Sequence, residues 1–207
     1  SDFDSHGNEY GVRIDNNTTG EVGDITIADF RVANSEQTGF VVVTGTGAGG
    51  TIRKVRLRDG RITNSGVVSG TKYGLHVNSR VGDASYAADR VVHDLGVDNV
   101  VVDGAPQYGV ALRGVTGGWF RNGEVTRAGS SGSEDTHSLW MGGCIDFRAV
   151  GNKVHGNGGW EGGSLGSGVG IFVDQFAPTA GSGCIRVAVV GNDVYDQVRG
   201  VHSGNFS

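Results

Sequence analysis

Proline, cysteine and methionine are nearly missing from this 207-residue chain, which holds two, two and one of them. Two prolines beside 39 glycines, with no strict Gly-x-y period, exclude a collagen triple helix and proline-rich disorder. The two cysteines, Cys144 and Cys184, say little about compartment. No stretch approaches the roughly 20 consecutive apolar residues of a membrane span, and no signal-peptide pattern is present. We therefore expect no membrane partner and a chain soluble as given, in mature or trimmed form. Contiguous basic runs are lacking too, and the net charge is −5. Since phosphate contacts need clustered Lys and Arg, no nucleic-acid partner is expected, and an anionic partner would need a local exception. Leu, Met, Lys and Glu are scarce, which argues against long helices.

What is abundant is Val, Gly, Asp, Asn and Thr, the residues of strands and turns. They recur with a period. A unit of small residue, apolar, any, apolar appears at Gly11-Val12-Arg13-Ile14, Gly39-Phe40-Val41-Val42, Gly74-Leu75-His76-Val77 and Gly109-Val110-Ala111-Leu112. It returns at Ser138-Leu139-Trp140-Met141, Gly170-Ile171-Phe172-Val173 and Gly200-Val201-His202-Ser203. A second unit interleaves one for one, with a turn residue three positions before an aliphatic: Asp29 and Val32, Asp59 and Ile62, Asp94 and Val97, Asn122 and Val125, Gly151 and Val154, Gly191 and Val194. The best internal match sets Gly143-Cys144-Ile145 and Val150-Gly151-Asn152-Lys153-Val154 against Gly183-Cys184-Ile185 and Val190-Gly191-Asn192-Asp193-Val194.

Repeats of about 30 residues that alternate strands with tight turns cannot bury an apolar face alone and must stack on their neighbours. The expected fold is all-β, a right-handed parallel β-helix solenoid of about seven coils forming one domain over residues 1–207. Leucine-rich repeats and propellers are disfavoured by their missing signatures, and sandwiches by the two interleaved series. Stacking would set Cys144 beside Cys184 as inward thiols, with a disulfide as the alternative.

The apolar-Gly-Asn-x-Val turns at 150–154 and 190–194, followed through by Gly-Val-Gly-Ile-Phe-Val at 168–173, resemble the repeats of pectate-lyase-like parallel β-helix proteins. That group includes polysaccharide lyases, uronan C5-epimerases, glycoside hydrolases and phage tailspikes. Neither end of the chain reads as the cap such folds carry, so we expect an excerpt of a longer chain, a homo-oligomer, or completion by another chain.

Aligning the first series gives two outward columns, because residues alternate along a strand. One runs Arg13, Val41, His76, Ala111, Trp140, Phe172, His202; the other Asp15, Val43, Asn78, Arg113, Gly142, Asp174, Gly204. Arg113 could neutralise a uronate and His76 could take its acidified proton, since imidazole titrates near neutrality. Trp140 and Phe172 could stack on a pyranose, with Asn78 adding a hydrogen bond. Asp174, together with Asn78, offers hard oxygens for Ca²⁺. Insertions at 79–89, 128–137, 156–167 and 174–183 would loop out and wall a groove. They hold Tyr86 and Trp160 as further binding candidates, Phe176, and the carboxylates Glu134, Asp135 and Glu161.

The expected function is that of an extracellular, secreted or phage-borne polysaccharide-active protein, a lyase or C5-epimerase on an acidic, uronate-containing glycan. Non-catalytic glycan binding, as in an adhesive or structural phage-fibre segment, is the alternative from another class. A glycoside hydrolase is a third reading, lowered by the absence of Asn-x-Asp, Asp-Asp and Gly-His-Gly. The Asp-Pro-His segment of alginate epimerases is missing as well, and no zinc motif occurs.

Overall fold

The computed structural model describes residues 3–44, 50–66, 73–79, 91–129, 136–156, 168–174, 183–197 and 199–204. These residues form strands and turns with no helix. In chain order the strands are β1 (Phe3–His6), β2 (Tyr10–Asn16), β3 (Glu21–Ala28), β4 (Phe30–Ala33), β5 (Thr38–Thr44) and β6 (Thr51–Thr63). Then follow β7 (Tyr73–Asn78), β8 (Val92–Asp103), β9 (Tyr108–Arg113), β10 (Val115–Arg121), β11 (Glu124–Thr126) and β12 (His137–Gly142). The last are β13 (Ile145–Val150), β14 (Lys153–His155), β15 (Val169–Asp174), β16 (Ala188–Val190), β17 (Asp193–Val194) and β18 (Arg199–Gly204).

All their pairings are parallel, and they make two sheets. The seven-stranded sheet has the order β18-β15-β12-β9-β7-β5-β2. The eleven-stranded sheet has the path β1-β4-β6-β8-β10-β13-β16, with β3, β11, β14 and β17 joined alongside. The long strands β6 and β8 run through a bend that splits other passes into two strands, as β3 and β4 or β10 and β11.

The bends are made by residues with left-handed backbone, standing in line from pass to pass. One line is Asp29, Asp59, Asn99, Asn122, Gly151 and Gly191; another is Asp24, Lys54, Asp94, Gly117, Asp146 and Arg186. Asp and Asn tolerate this conformation better than other side chains, which is why they mark the repeat. The expected pairing of Asp94 with Val97 is corrected here. The residue in line with Asp59 is Asn99, because Arg58 pairs with Asp98 and Gly60 with Val100, and Asn99 is followed by Val102.

The two series interleave because they touch. In five strands of the seven-stranded sheet, β2, β5, β7, β9 and β15, the glycine near the start faces inward onto the aliphatic residue of the other sheet. A Cβ would come within 2.1 Å of Val32 at Gly11, 2.3 Å of Ile62 at Gly39, 2.2 Å of Val102 at Gly74, 2.3 Å of Val125 at Gly109 and 2.5 Å of Val194 at Gly170. Side chains fill the remaining space between the sheets in columns. Phe40, Leu75, Val110, Leu139 and Ile171 form one, and Val42, Val77, Leu112 and Met141 the next. Phe30, Phe120, Phe147 and Leu57 meet them from the eleven-stranded sheet.

Cys144 and Cys184 are free thiols. Cys144 is buried, and its N–H donates to Cys184 Sγ at 3.2 Å across adjacent passes. A hydrogen bond with Cys144 and further backbone bonds lower the half-buried Cys184 thiol below the usual range.

The absence of a long contiguous basic run does not prevent basic side chains from gathering on one strand. Strand β6 carries Arg53, Lys54, Arg56, Arg58 and Arg61. Alternation hides them from a search for contiguous charge, but Val55 and Leu57 point into the core while Arg56 and Arg58 point out together.

Candidate functional site

The outer face of the seven-stranded sheet carries the predicted columns in the predicted register. Val41 pairs with His76, His76 with Ala111, Ala111 with Trp140, Trp140 with Phe172 and Phe172 with His202. Asn78, Arg113, Gly142 and Asp174 follow one another in the second column. Tyr86, Glu134, Asp135, Trp160, Glu161 and Phe176 lie outside the described residues, as do most of the insertions expected to wall a groove.

This face is less open than an outward column implies. A third column, Thr38, Tyr73, Tyr108 and His137, lies beside the first. Tyr73 and Tyr108 are only 2% and 7% exposed and form an apolar cluster with Ala111 and Trp140, separate from the main core. The signal for it was the repeated Tyr-Gly at Tyr73-Gly74 and Tyr108-Gly109. Because the glycine faces inward, the tyrosine before it faces outward.

The rings stack on one another. Tyr73 lies 3.9 Å from His76 and 5.2 Å from Tyr108, and Tyr108 lies 5.3 Å from Trp140, all near parallel. Phe172 is 4% exposed, with His202 stacked at 5.5 Å and His137 tilted at 4.6 Å. Rungs about 4.8 Å apart favour such ring-on-ring contacts. The expected sugar platform of Trp140 and Phe172 is therefore corrected: Phe172 is buried with His202 stacked on it and His137 tilted against it, and Trp140 lies against Tyr108 and beneath the Arg113 guanidinium, 4.5 Å from its ring centre.

His76, Asn78, Arg113 and Trp140 are the half-buried members of the two columns from β7 to β12, and they lie side by side around the Arg113 guanidinium in a cluster, the notch. Three of them have an enclosed polar atom with no hydrogen-bond partner among the described residues: His76 Nε2, Asn78 Oδ1 and Trp140 Nε1. Arg113 is oriented by donating from Nη2 to the Tyr73 hydroxyl at 2.8 Å. Burial, reinforced by the Arg113 charge, drives His76 well below its ordinary value. The expectation that it titrates near neutrality is thus corrected; at neutral pH it is a neutral imidazole and a weak base.

Asp174 is buried at the far end of the second column. Three rungs separate it from Asn78, about 14 Å at the spacing of parallel strands, so the two cannot share one calcium ion. Among the described residues no group of three or more His, Cys, Asp or Glu could hold a metal.

His137, the last residue of the 128–137 insertion, is a buried member of the aromatic face. Burial lowers it to about 4, against a smaller opposing contribution from a backbone hydrogen bond at Thr136. Its folded value lies below the unfolded one near 6.5, so between those values the unfolded chain binds a proton that the folded chain refuses. Stability from this group is full above about pH 6.5 and is lost as pH falls toward 4, by about 3 kcal/mol in all. Urea midpoints across that window should fall with acidification, and the slope should be shallower in His137→Phe; an unchanged slope would contradict the assignment. His76 shifts the same way and accounts for a remaining slope.

No protein-family model, no curated protein and no solved structure matches this chain.

Proposed function

We propose that this protein is a right-handed parallel β-helix of about seven coils, of the pectate-lyase-like kind, that binds an acidic, uronate-bearing polysaccharide outside the cell or on a phage particle. Successive parallel pairing of each strand with the pass before and the pass after, in both sheets, supports the architecture. The function rests on one observation. In the notch, His76 Nε2, Asn78 Oδ1 and Trp140 Nε1 are enclosed without hydrogen-bond partners among the described residues, beside the Arg113 cation.

An enclosed polar atom without a partner costs roughly 1–3 kcal/mol, so three together are a liability to folding unless a ligand or water meets them. A sugar hydroxyl both donates and accepts, and suits such a set. A carboxylate on the same sugar suits a guanidinium. The exposed Ile185, Val190, Tyr195 and Val201 on the last passes favour a further layer of chain packing there.

The test separates binding from folding. Trp140→Phe keeps a ring and deletes the indole N–H, and Asn78→Ala deletes the acceptor. Each should weaken binding of pectate or alginate oligomers about fivefold, at roughly 1 kcal/mol per hydrogen bond, while the urea midpoint stays level or rises. Unchanged affinity with lowered stability would make the notch purely structural.

Proton abstraction at the uronate, as lyase or epimerase, is the second reading, favoured by the neutral His76 beside Arg113. Ultraviolet absorbance of unsaturated products, measured on pectate, alginate, hyaluronan and chondroitin with and without Ca²⁺, tests the lyase. Product analysis tests the epimerase and the hydrolase.

A further inference from the structure

The eleven-stranded sheet has a concavity of its own, of about 240 Å³, between Thr26, Arg56, Arg58, Gly96, Trp119 and Arg121. Its origin is local. Arg56, Gly96 and Trp119 are register partners on β6, β8 and β10. With no side chain on the middle strand, the two long side chains lean across it; a Cβ on Gly96 would lie 2.8 Å from both Arg56 Cδ and Trp119 Cζ2. The Arg56 and Arg121 guanidinium carbons sit 4.8 and 5.3 Å from the centre of the Trp119 ring.

The charges here are not balanced. Asp98, between Arg58 and Arg121 in register, is taken by Arg121 through bonds of 2.6 and 2.9 Å and by Asn122 at 3.0 Å. The hydrogen bond from Arg121 comes first among the causes that keep the Asp98 carboxyl below its usual range. Arg56 spends its Nη1 on the main-chain oxygens of Val55 and Asp94, which fix its position without neutralising it. Arg58 has no hydrogen-bonding or acidic partner among the described residues. The Trp119 indole N–H is enclosed and has no hydrogen-bond partner among the described residues.

Two uncompensated guanidiniums converge on a space smaller than the roughly 300 Å³ at which drug-sized ligand sites begin, with the Trp119 indole in its wall. Arginine forks match the oxygens of sulfate and phosphate groups, and the Trp119 ring, lying against Arg56 and Arg121, serves to hold the forks. We infer that this concavity is a binding site for a tetrahedral oxyanion, a sulfate or phosphate ester carried on a single small sugar. It is on a different sheet from the uronate notch and does not depend on it.

The experiment is calorimetric titration of the whole chain with glucosamine 6-sulfate, glucose 6-phosphate and unmodified glucose, with the Trp119 indole N–H followed by NMR. One ester should bind at least tenfold more tightly than glucose and move the Trp119 signal. The sulfate and phosphate arms decide which ester is the natural group. Arg58→Glu, at an exposed side chain, should keep the thermal midpoint and lower that affinity at least tenfold, and Arg58→Lys should restore part of it. Trp119→Phe should weaken binding without abolishing it. The inference is overturned if both esters bind no better than glucose, or if Arg58→Glu folds and binds like the original chain. These outcomes leave the Asn78 and Trp140 results untouched, so the two sites stand or fall separately.

Discussion

Gly118→Ala should leave no folded protein at ordinary temperature, a loss above about 4 kcal/mol, which marks the extreme of single substitutions. Gly118 sits in β10 between Leu95 and Phe147 with φ of 129°, a conformation that L-residues rarely adopt. Its Cβ would fall 1.9 Å from the Leu95 carbonyl oxygen and 2.8 and 2.9 Å from the Leu95 carbonyl carbon and nitrogen. These are backbone atoms of a paired strand and cannot swing aside as a side chain would. Gly200→Ala is the matching control, since a Cβ there meets nothing within 4 Å. It should change stability by no more than about 0.5 kcal/mol. Circular dichroism and urea unfolding of both variants decide the matter, and a cooperative, near-normal transition in Gly118→Ala would refute the packing described for β10.

Asn152→Ala should be the next most damaging change, at about 3–5 kcal/mol. Asn152 is fully buried at the bend and ties three passes together. Its Oδ1 accepts from the Gly123 N–H at 2.9 Å, and its Nδ2 donates to the Phe120 carbonyl at 2.9 Å and to Asn192 Oδ1 at 2.8 Å. Truncation orphans a buried donor at Gly123 and an acceptor at Phe120, each costing roughly 1–3 kcal/mol. Asn192 makes the equivalent contact one pass later, donating to the Ala149 carbonyl at 2.9 Å, but is only half-buried. Water can replace part of what Asn192→Ala removes, so that variant should lose less than half as much. Equal losses at the two positions would show that burial does not set the cost.

Much of this was legible in the sequence where a residue type has one use. The unit of small residue, apolar, any, apolar fixed the register of His76, Ala111, Trp140 and Phe172 because an inward Gly or Ser followed by two alternating apolar residues admits only one phase. The Asp and Asn bends were legible for the same reason, apart from Asp94, where two bend lines five residues apart both offered a turn-forming residue, Asp94 and Asn99. The state of the site was harder to read. Outward facing does not mean exposed, and nothing in the order of residues tells that Tyr73 and Tyr108 pack against Trp140, or that Phe172 lies among histidines. The Arg56, Arg58 and Trp119 concavity was hidden because it depends on Gly96, a residue that contributes by lacking a side chain.

The uniform parallel pairing also bears on how the chain acquires its structure. Among the described residues no strand pairs with the strand next to it in sequence, so there is no hairpin on which to begin. The first contact must close a loop such as Arg13 to Val41 or His76 to Ala111, at an entropic cost of about 3 kcal/mol. Each later pass repeats that closure against a surface already formed. Folding should therefore be slow to start and sequential once started, with the unpaired rim of a half-built sheet as the state most exposed to mispairing.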